Sequence, residues 1–461
     1  MARDVSDETL VSSRDELIRW FEEGSKPQGP FRLGTEHEKV PFYLADHTSV
    51  PYEGRPELNR QGVRALLEGL RKAQGWEPIE DEGAIIGLFD AQGGGAISLE
   101  PGGQFELSGA PLDHVHQTQA ELQAHFAALN PIAEKLGVGF LDLGMSPLWK
   151  REEVPMMPKQ RYKIMARYMP KVGRLGLDMM FRTATVQTNI DFASEADMVA
   201  KMRLALSLQP MITALFANSP FTNGHPNGFQ TMRSQIWTDT DPARTGMLPF
   251  VFEEGMSFER YVDYALDVPM YFIKRGDVYH DVAGASFRDL LAGKLAALPG
   301  EVATLSDWAN HLSTIFPEVR LKRYIEMRGA DVGPADHILA LTALCAGLFY
   351  DADASTAAWD MVKSWSAAER QMLRDSVPTE GLRARIGGRS LQEIAQEVLP
   401  LAHAGLVKRN RLNAAGEDES LYLQPLEQIA ASGRSLSDHW LALYHEAWGE
   451  SIAPAFEECV Y

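Results

Sequence analysis

The residues of this chain best suited to chemistry are carboxylates that recur two positions apart. In Gly34-Thr35-Glu36-His37-Glu38-Lys39-Val40 a strand puts Glu36 and Glu38 on one face, because successive side chains of a strand point to opposite sides. In residues 104–108 the same alternation sets Gln104, Glu106 and Ser108 against a core face of Phe105 and Leu107, with Glu100 just upstream across Pro101-Gly102-Gly103. Residues 186–192 offer Gln187, Asn189 and Asp191, and residues 324–329 offer Tyr324, Glu326 and Arg328.

Solvated sheet faces mix Lys, Thr, Ser and Glu, whereas these four are rich in acids and side-chain amides. Two carboxylates about 4 Å apart repel by roughly 4 kcal/mol at an effective dielectric near 20, so a cluster of them stays ionised only beside cations. Oxygen-only ligands with no thiolate favour Mg²⁺, with Mn²⁺ as the alternative, over Zn²⁺. Mg²⁺ keeps several waters and is completed by substrate phosphates, which brings a nucleotide into view. Beside Glu326, Arg328 is either a structural ion pair or a contact to a transferring phosphoryl group.

No G-x-x-x-x-G-K-[ST] motif occurs, so ATP must be held in another way. The run Gly93-Gly94-Gly95 reads as a phosphate cradle or as a flexible turn. Between 159 and 174, Lys159, Arg161, Lys163, Arg167, Lys171 and Arg174 occur without an acid, giving local positive potential or a solvated basic helix. In the loop-like stretch 232–242, Arg233 could pair bidentately with a substrate carboxylate or bridge to Asp239 or Asp241, with Trp237 beside it.

These segments need a large scaffold. The chain has 461 residues, 45% of them hydrophobic, enough for a sizeable core, and no linker or repeat divides it. Helices are expected at 61–74, 113–136 and 195–218, the last capped by Ser194 and Asp197. Beyond about 335 the pattern is almost wholly helical, at 335–350, 391–406 and 435–448. Residues 1–23 alternate acids and bases and read as an amphipathic helix with Ser13 and Glu16 as a capping box, from which a cytoplasmic address is expected. A net charge of −19 disfavours nucleic acid and anionic membranes as partners. The two cysteines, Cys345 and Cys459, exclude a disulfide framework and a thiolate metal site.

The runs at 34–39 and 99–109, Trp237-Thr238-Asp239-Thr240-Asp241, and residues 323–331 together resemble the plant and proteobacterial glutamate–cysteine ligases. Met157-Pro158-Lys159 with Arg161-Tyr162, the stretch 261–271, and Trp448-Gly449-Glu450-Ser451 extend the likeness over nearly the whole chain. The resemblance implies an α+β fold: a glutamine-synthetase-like catalytic domain, residues 1–461, whose curved, mainly antiparallel sheet forms an active-site funnel, flanked by helices and followed by a helical portion from about 335 to 461. It implies ligation of the γ-carboxylate of glutamate to the amine of cysteine through a γ-glutamyl phosphate, with ATP as co-substrate. Mapped onto this sequence, the metal ligands are Glu36, Glu38, Glu100, Glu106 and Glu326. Glu326 and Arg328 are catalytic, and Gln187, Asn189 and Arg328 lie at the nucleotide. Arg167, Arg233, Trp237 and Tyr264 lie at the amino-acid substrates. The regulatory cysteine pair of the plant enzymes falls at Gln119 and Leu339, so their thiol switch is expected to be absent. A related ligase using another amine, or a metal-dependent hydrolase built on the same carboxylates, is the alternative.

Overall fold

The computed structural model describes residues 7–27 and 29–461. The first six residues of the amino-terminal segment lie outside the described residues. Its organising element is a long strand, β1 (Leu33–Tyr43), which contains Glu36 and Glu38. The other strands of its sheet are β2 (Glu77–Asp81), β3 (Ala84–Phe89), β4 (Ala96–Leu99), β5 (Phe105–Ser108), β6 (Val138–Leu141), β7 (Thr185–Ile190), β8 (Val319–Leu321) and β9 (Ile325–Asp331). The order is β8-β9-β7-β1-β5-β4-β3-β2, and β6 pairs with the far end of β1. Every pairing is antiparallel.

Register fixes which polar residues meet. Glu38 lies opposite Glu106 on β5 and Glu36 opposite Gln187 on β7. Glu326 on β9 lies opposite Asn189 on β7 and Arg320 on β8. Between Met327 and Ala330 the pairing of β9 with β7 slips, so that Arg328 and Gly329 together oppose Gln187. Gly329 fits there because a Cβ would fall 2.3 Å from the Gln209 side-chain nitrogen.

Helices flank the sheet. α1 (Arg14–Glu22), α2 (Val63–Gln74) and α3 (Val115–Leu136) come first, and the second and third end where expected, at Gly75 and Gly137, both left-handed. The box expected at Ser13 is displaced by one residue, since Glu16 accepts from the backbone and hydroxyl of Ser12 at 2.8 and 2.7 Å. α4 (Gln160–Tyr168), α5 (Gly176–Arg182) and α6 (Glu195–Leu215) follow, the last capped by Ser194 as expected. After α7 (Met232–Ile236) and α8 (Phe258–Asp267), the chain past β9 is mainly helical, beginning with Ala335–Phe349 and including Leu391–Arg409 and Leu436–Glu446. One apolar core joins α6 and Ala335–Phe349 to the sheet, and another joins α2 and α3 to β3–β5.

Candidate active site

The polar face of the sheet opens into a funnel lined by Glu36, Glu38, Glu100, Glu106, Gln187, Arg233, Trp237 and Arg328. Lys159, Arg161, Thr185, Phe316 and Arg320 complete the wall. Glu100 reaches it through a tight turn in which Gly103 is left-handed and a Cβ on Gly102 would meet the Phe181 carbonyl oxygen at 2.3 Å. Gln104 holds that turn: its carbonyl accepts from the Gly102 N–H at 2.9 Å and its amide donates to the Thr183 carbonyl at 2.8 Å.

The acids divide into two sets. Glu106 accepts from Ser98 at 2.6 Å and Ser108 at 2.8 Å, Glu36 from the Asn189 amide at 2.8 Å, and Glu38 from the Thr185 N–H at 3.0 Å. No cationic side chain bonds to Glu36, Glu38 or Glu106 among the described residues. Burial, and then the charge of Glu100 and Glu106, push the Glu38 carboxyl well above the usual carboxylate range. Burial raises Glu36 and Glu100 too, followed for Glu100 by the charge of Glu106. Glu106 differs: against burial, the hydrogen bonds from Ser98 and Ser108 help hold its carboxyl down to about 2. Glu326 is lowered by cations: fully buried, it accepts from Arg320 Nε and from Lys322 Nζ, the latter at 2.6 Å, and lies 3.6 Å from Arg328. Burial would raise its carboxyl, but Arg320, Lys322 and Arg328 hold it well below the ordinary range. Both oxygens of Glu326 are therefore engaged by protein cations, unlike the other four acids of the expected metal set.

Arg328 donates to the side-chain amide oxygen of Gln187. Burial, and repulsion from Arg320, bring its guanidinium down to about 10, so it remains a cation at neutral pH. Arg233 is buried and donates to the Arg328 carbonyl at 3.0 Å, with Asp331 at 3.9 Å. Asp239 and Asp241 are taken by Arg174 and Arg244 instead.

Two expected substrate residues are elsewhere. Arg167 is 64% exposed and bonds Asp281 at 2.8 Å on the outer surface, because α4 turns only Arg161, Tyr162 and Met165 inward. Tyr264 packs its ring against Phe250 at 5.1 Å, on the apolar side of α8 with Tyr261 and Val262, outside the funnel. Asn189 acts through Glu36 and is absent from the lining. Asp191 lies past the end of β7 and pairs with Lys26 at 2.6 Å. The glycine run is an exposed turn between β3 and β4, closed by Gly94 N–H donating to Asp90. Sequence reasoning missed Arg320 and Lys322. The signal was present, since Arg320, Lys322, Tyr324, Glu326 and Arg328 alternate through the β8–β9 hairpin.

Residues 32–458 match the family described as glutamate–cysteine ligase family 2, GCS2. The chain belongs to this glutamate–cysteine ligase family. Its relatives include the chloroplastic glutamate–cysteine ligases of Arabidopsis thaliana and Nicotiana tabacum, 51% and 50% identical over 97% of this chain and 83% of each of theirs. Among solved structures, the glutamate–cysteine ligase of Francisella tularensis in complex with AMP shares the fold, with a TM-score of 0.54 at 13% identity, covering 92% of this chain and 86% of that one. The reaction of the family is ATP-dependent ligation of glutamate to cysteine, the first step of glutathione biosynthesis, and it is the reaction of this chain. The large antiparallel sheet with its helical flanks is the α+β architecture expected. The cytoplasmic address does not stand, because relatives at about half identity are named chloroplastic. Alternating acids and bases at the amino terminus mark the amphipathic α1 and carry no address.

Proposed function

We propose that the funnel activates the γ-carboxylate of glutamate by phosphoryl transfer from ATP, forming a γ-glutamyl phosphate that the cysteine amine attacks with release of phosphate. The observation that supports this most is one cavity with two opposed charge sets, the carboxylates of Glu36, Glu38 and Glu106 on β1 and β5 facing the guanidinium of Arg328 on β9. A free carboxylate gives an amine no adequate leaving group, and phosphorylation supplies one. Of the alternatives, a hydrolase would need neither nucleotide nor amine.

Mg²⁺, or Mn²⁺, fits the acid side because the donors are all oxygens and burial raises the carboxyls of Glu36, Glu38 and Glu100. Among the described residues no three acids are already closed on one point, which suits an ion that keeps waters and takes substrate phosphates as ligands. Glu36, Glu38, Glu100 and Glu106 would hold it, and when bound it supplies positive charge to the phosphate oxygens. Glu326 we assign to the cation side, where it keeps Arg320 and Arg328 in place. Arg328 contacts the transferring phosphoryl group, with Gln187 orienting it and Asn189 orienting Glu36 as positioning residues. Arg233 binds a glutamate carboxylate and Trp237 forms the neighbouring wall. We read residues 1–461 as one catalytic unit.

The test is ADP release from ATP, Mg²⁺ and glutamate with cysteine and with a panel of other amines, and mass spectrometry of the product. γ-Glutamylcysteine is the expected product. A strong preference for another amine would remove cysteine as the acceptor, and no ADP release with any amine would remove the reaction.

A further inference from the structure

The bulge in β9 sets Arg328 and Gly329 against a single residue of β7. An extra residue of this kind falls out of the ladder, and its buried carbonyls need partners from elsewhere. Both carbonyls of this bulge have one in a side chain. That of Arg328 accepts from Arg233 at 3.0 Å, and that of Gly329 accepts from the hydroxyl of Thr213, also at 3.0 Å. Thr213 lies in α6 and is buried, and Gln209 stands one helical turn before it on the same face. The Gln209 amide is buried with neither of its polar atoms partnered among the described residues. A Cβ at position 329 would meet its nitrogen at 2.3 Å and the Thr213 hydroxyl at 2.9 Å. Gly329 is not left-handed, so space alone calls for glycine there. An unpaired buried amide costs stability, and an apolar side chain of similar length would avoid that cost. α6 thus carries a tie and a stop for the bulge, both beneath the strand that holds Arg328.

We propose that Thr213 is a positioning residue for the ligase reaction: its hydrogen bond to the Gly329 carbonyl fixes the backbone from which Arg328 reaches the phosphoryl group, with Gln209 as the stop behind it. The assignment rests on the role given to Arg328 above. Between the ladder pairs at Met327 and Ala330, three bonds hold this backbone: Arg328 N–H donates to the Glu318 carbonyl at 3.2 Å, and Arg233 and Thr213 donate to the two bulge carbonyls. Arg233 lines the funnel, whereas Thr213 does not. Thr213 therefore acts on the reaction only through the strand. Position matters steeply at such a site, since a reacting group misplaced by about 1 Å loses on the order of 100-fold in rate.

The experiment measures kcat and each KM for ADP release by the full chain with ATP, Mg²⁺, glutamate and cysteine, alongside the melting temperature. Thr213→Val keeps the shape and removes the hydroxyl, so kcat should fall about 10-fold while every KM stays within about twofold. Thr213→Ser keeps the hydroxyl and should retain kcat within about threefold. In an Arg328→Lys background Thr213→Val should cost no further rate, because two residues that act through one contact are not additive. Should Thr213→Val not fold, Gly329→Ala, whose methyl crowds the Thr213 hydroxyl, is read against Arg328→Lys in the same way. An unchanged kcat in the folded Thr213→Val protein, an equal loss in Thr213→Ser, or the full loss repeated on top of Arg328→Lys would overturn the assignment and leave the ligase reading intact. Absence of ADP release by the parent with any amine would overturn the ligase reading and this role with it.

Discussion

Replacing Glu38 by Gln separates stability from activity. Glu38 and Glu106 are direct cross-strand neighbours, a pairing that sets Cβ atoms about 5 Å apart. At that separation and an effective dielectric near 20, two full charges repel by about 3 kcal/mol, an upper limit because burial and the charges of Glu100 and Glu106 raise the Glu38 carboxyl and so favour its neutral form. Gln keeps an oxygen for the Thr185 N–H, so the bond at 3.0 Å survives. For 461 residues, an unfolding entropy of about 2 cal/mol/K per residue makes 1 kcal/mol worth about 1 °C, so the metal-free variant should melt about 1–3 °C above the parent at pH 7.5. An acid whose folded pKa is raised contributes stability below its unfolded pKa and loses it as pH rises through the folded value. The two melting curves should therefore converge near pH 4 and part as pH rises. With Mg²⁺ at a hundred times the dissociation constant the parent gains about 2.7 kcal/mol and the variant less, so the lead of the variant shrinks by that difference. Scanning calorimetry in EDTA and in Mg²⁺, between pH 4 and 8, measures all of this. A metal-free variant less stable than the parent at pH 7.5, or an unchanged Mg²⁺ shift, refutes the reasoning.

Arg328→Lys should lower kcat at least 100-fold, since a point charge cannot reproduce a guanidinium held by Gln187, while Mn²⁺ affinity measured by paramagnetic resonance stays within threefold. Glu326→Gln should destabilise the protein by about 3–5 kcal/mol in denaturant titration, because it leaves Arg320 and Lys322 buried beside a neutral group. Arg167→Ala should leave kcat and every KM within twofold and stability within about 0.5 kcal/mol, as expected of an exposed ion pair. Oxidised glutathione should leave activity and electrophoretic mobility unchanged. Cys345 and Cys459 are buried free thiols whose pKa values burial raises, Gln119 accepts from Tyr422 at 2.8 Å, and Leu339 is core.

The sheet was legible because its strands contrast sharply. Period two assigns the faces of a strand, and Glu36, Glu38, Glu106, Gln187 and Arg328 all lie on the funnel side. Alternation does not reveal what a neighbouring strand supplies. The resemblance put Glu326 among the metal ligands, and the alternation of its own strand does not show that Arg320, one hairpin arm away, meets it through register. Arg167 was misread for a related reason. A helix repeats every 3.6 residues, so one basic stretch sends Arg161 into the funnel and Arg167 to the surface. Tyr264 shows the limit of residue type alone: an aromatic within a family motif served the core of α8. Thr213 carried no signal, because its role arises from a bulge 116 residues further along the chain, on which α6 packs.

The extra residue in β9 changes the parity of everything after it. Counted in strict alternation, Ala330 would share a side with Glu326 and Arg328, and Asp331 would point into the apolar core. Because Arg328 and Gly329 together occupy one rung, Asp331 pairs with Thr185, a funnel residue, and Ala330 with buried Val186. Asp331 there accepts from Ser219 at 2.6 Å and from Thr231, the N-cap of α7, at 2.9 Å, and stands behind Arg233. Deleting Gly329 would therefore remove the bulge and leave that pairing in phase, whereas one residue inserted between Gly329 and Ala330 would act like a frameshift in space: Glu326 would stay in phase, while Ala330 would take the rung of Thr185, the anchor of α7 would be exchanged for a methyl group and Arg233 would lose its counter-ion without being touched.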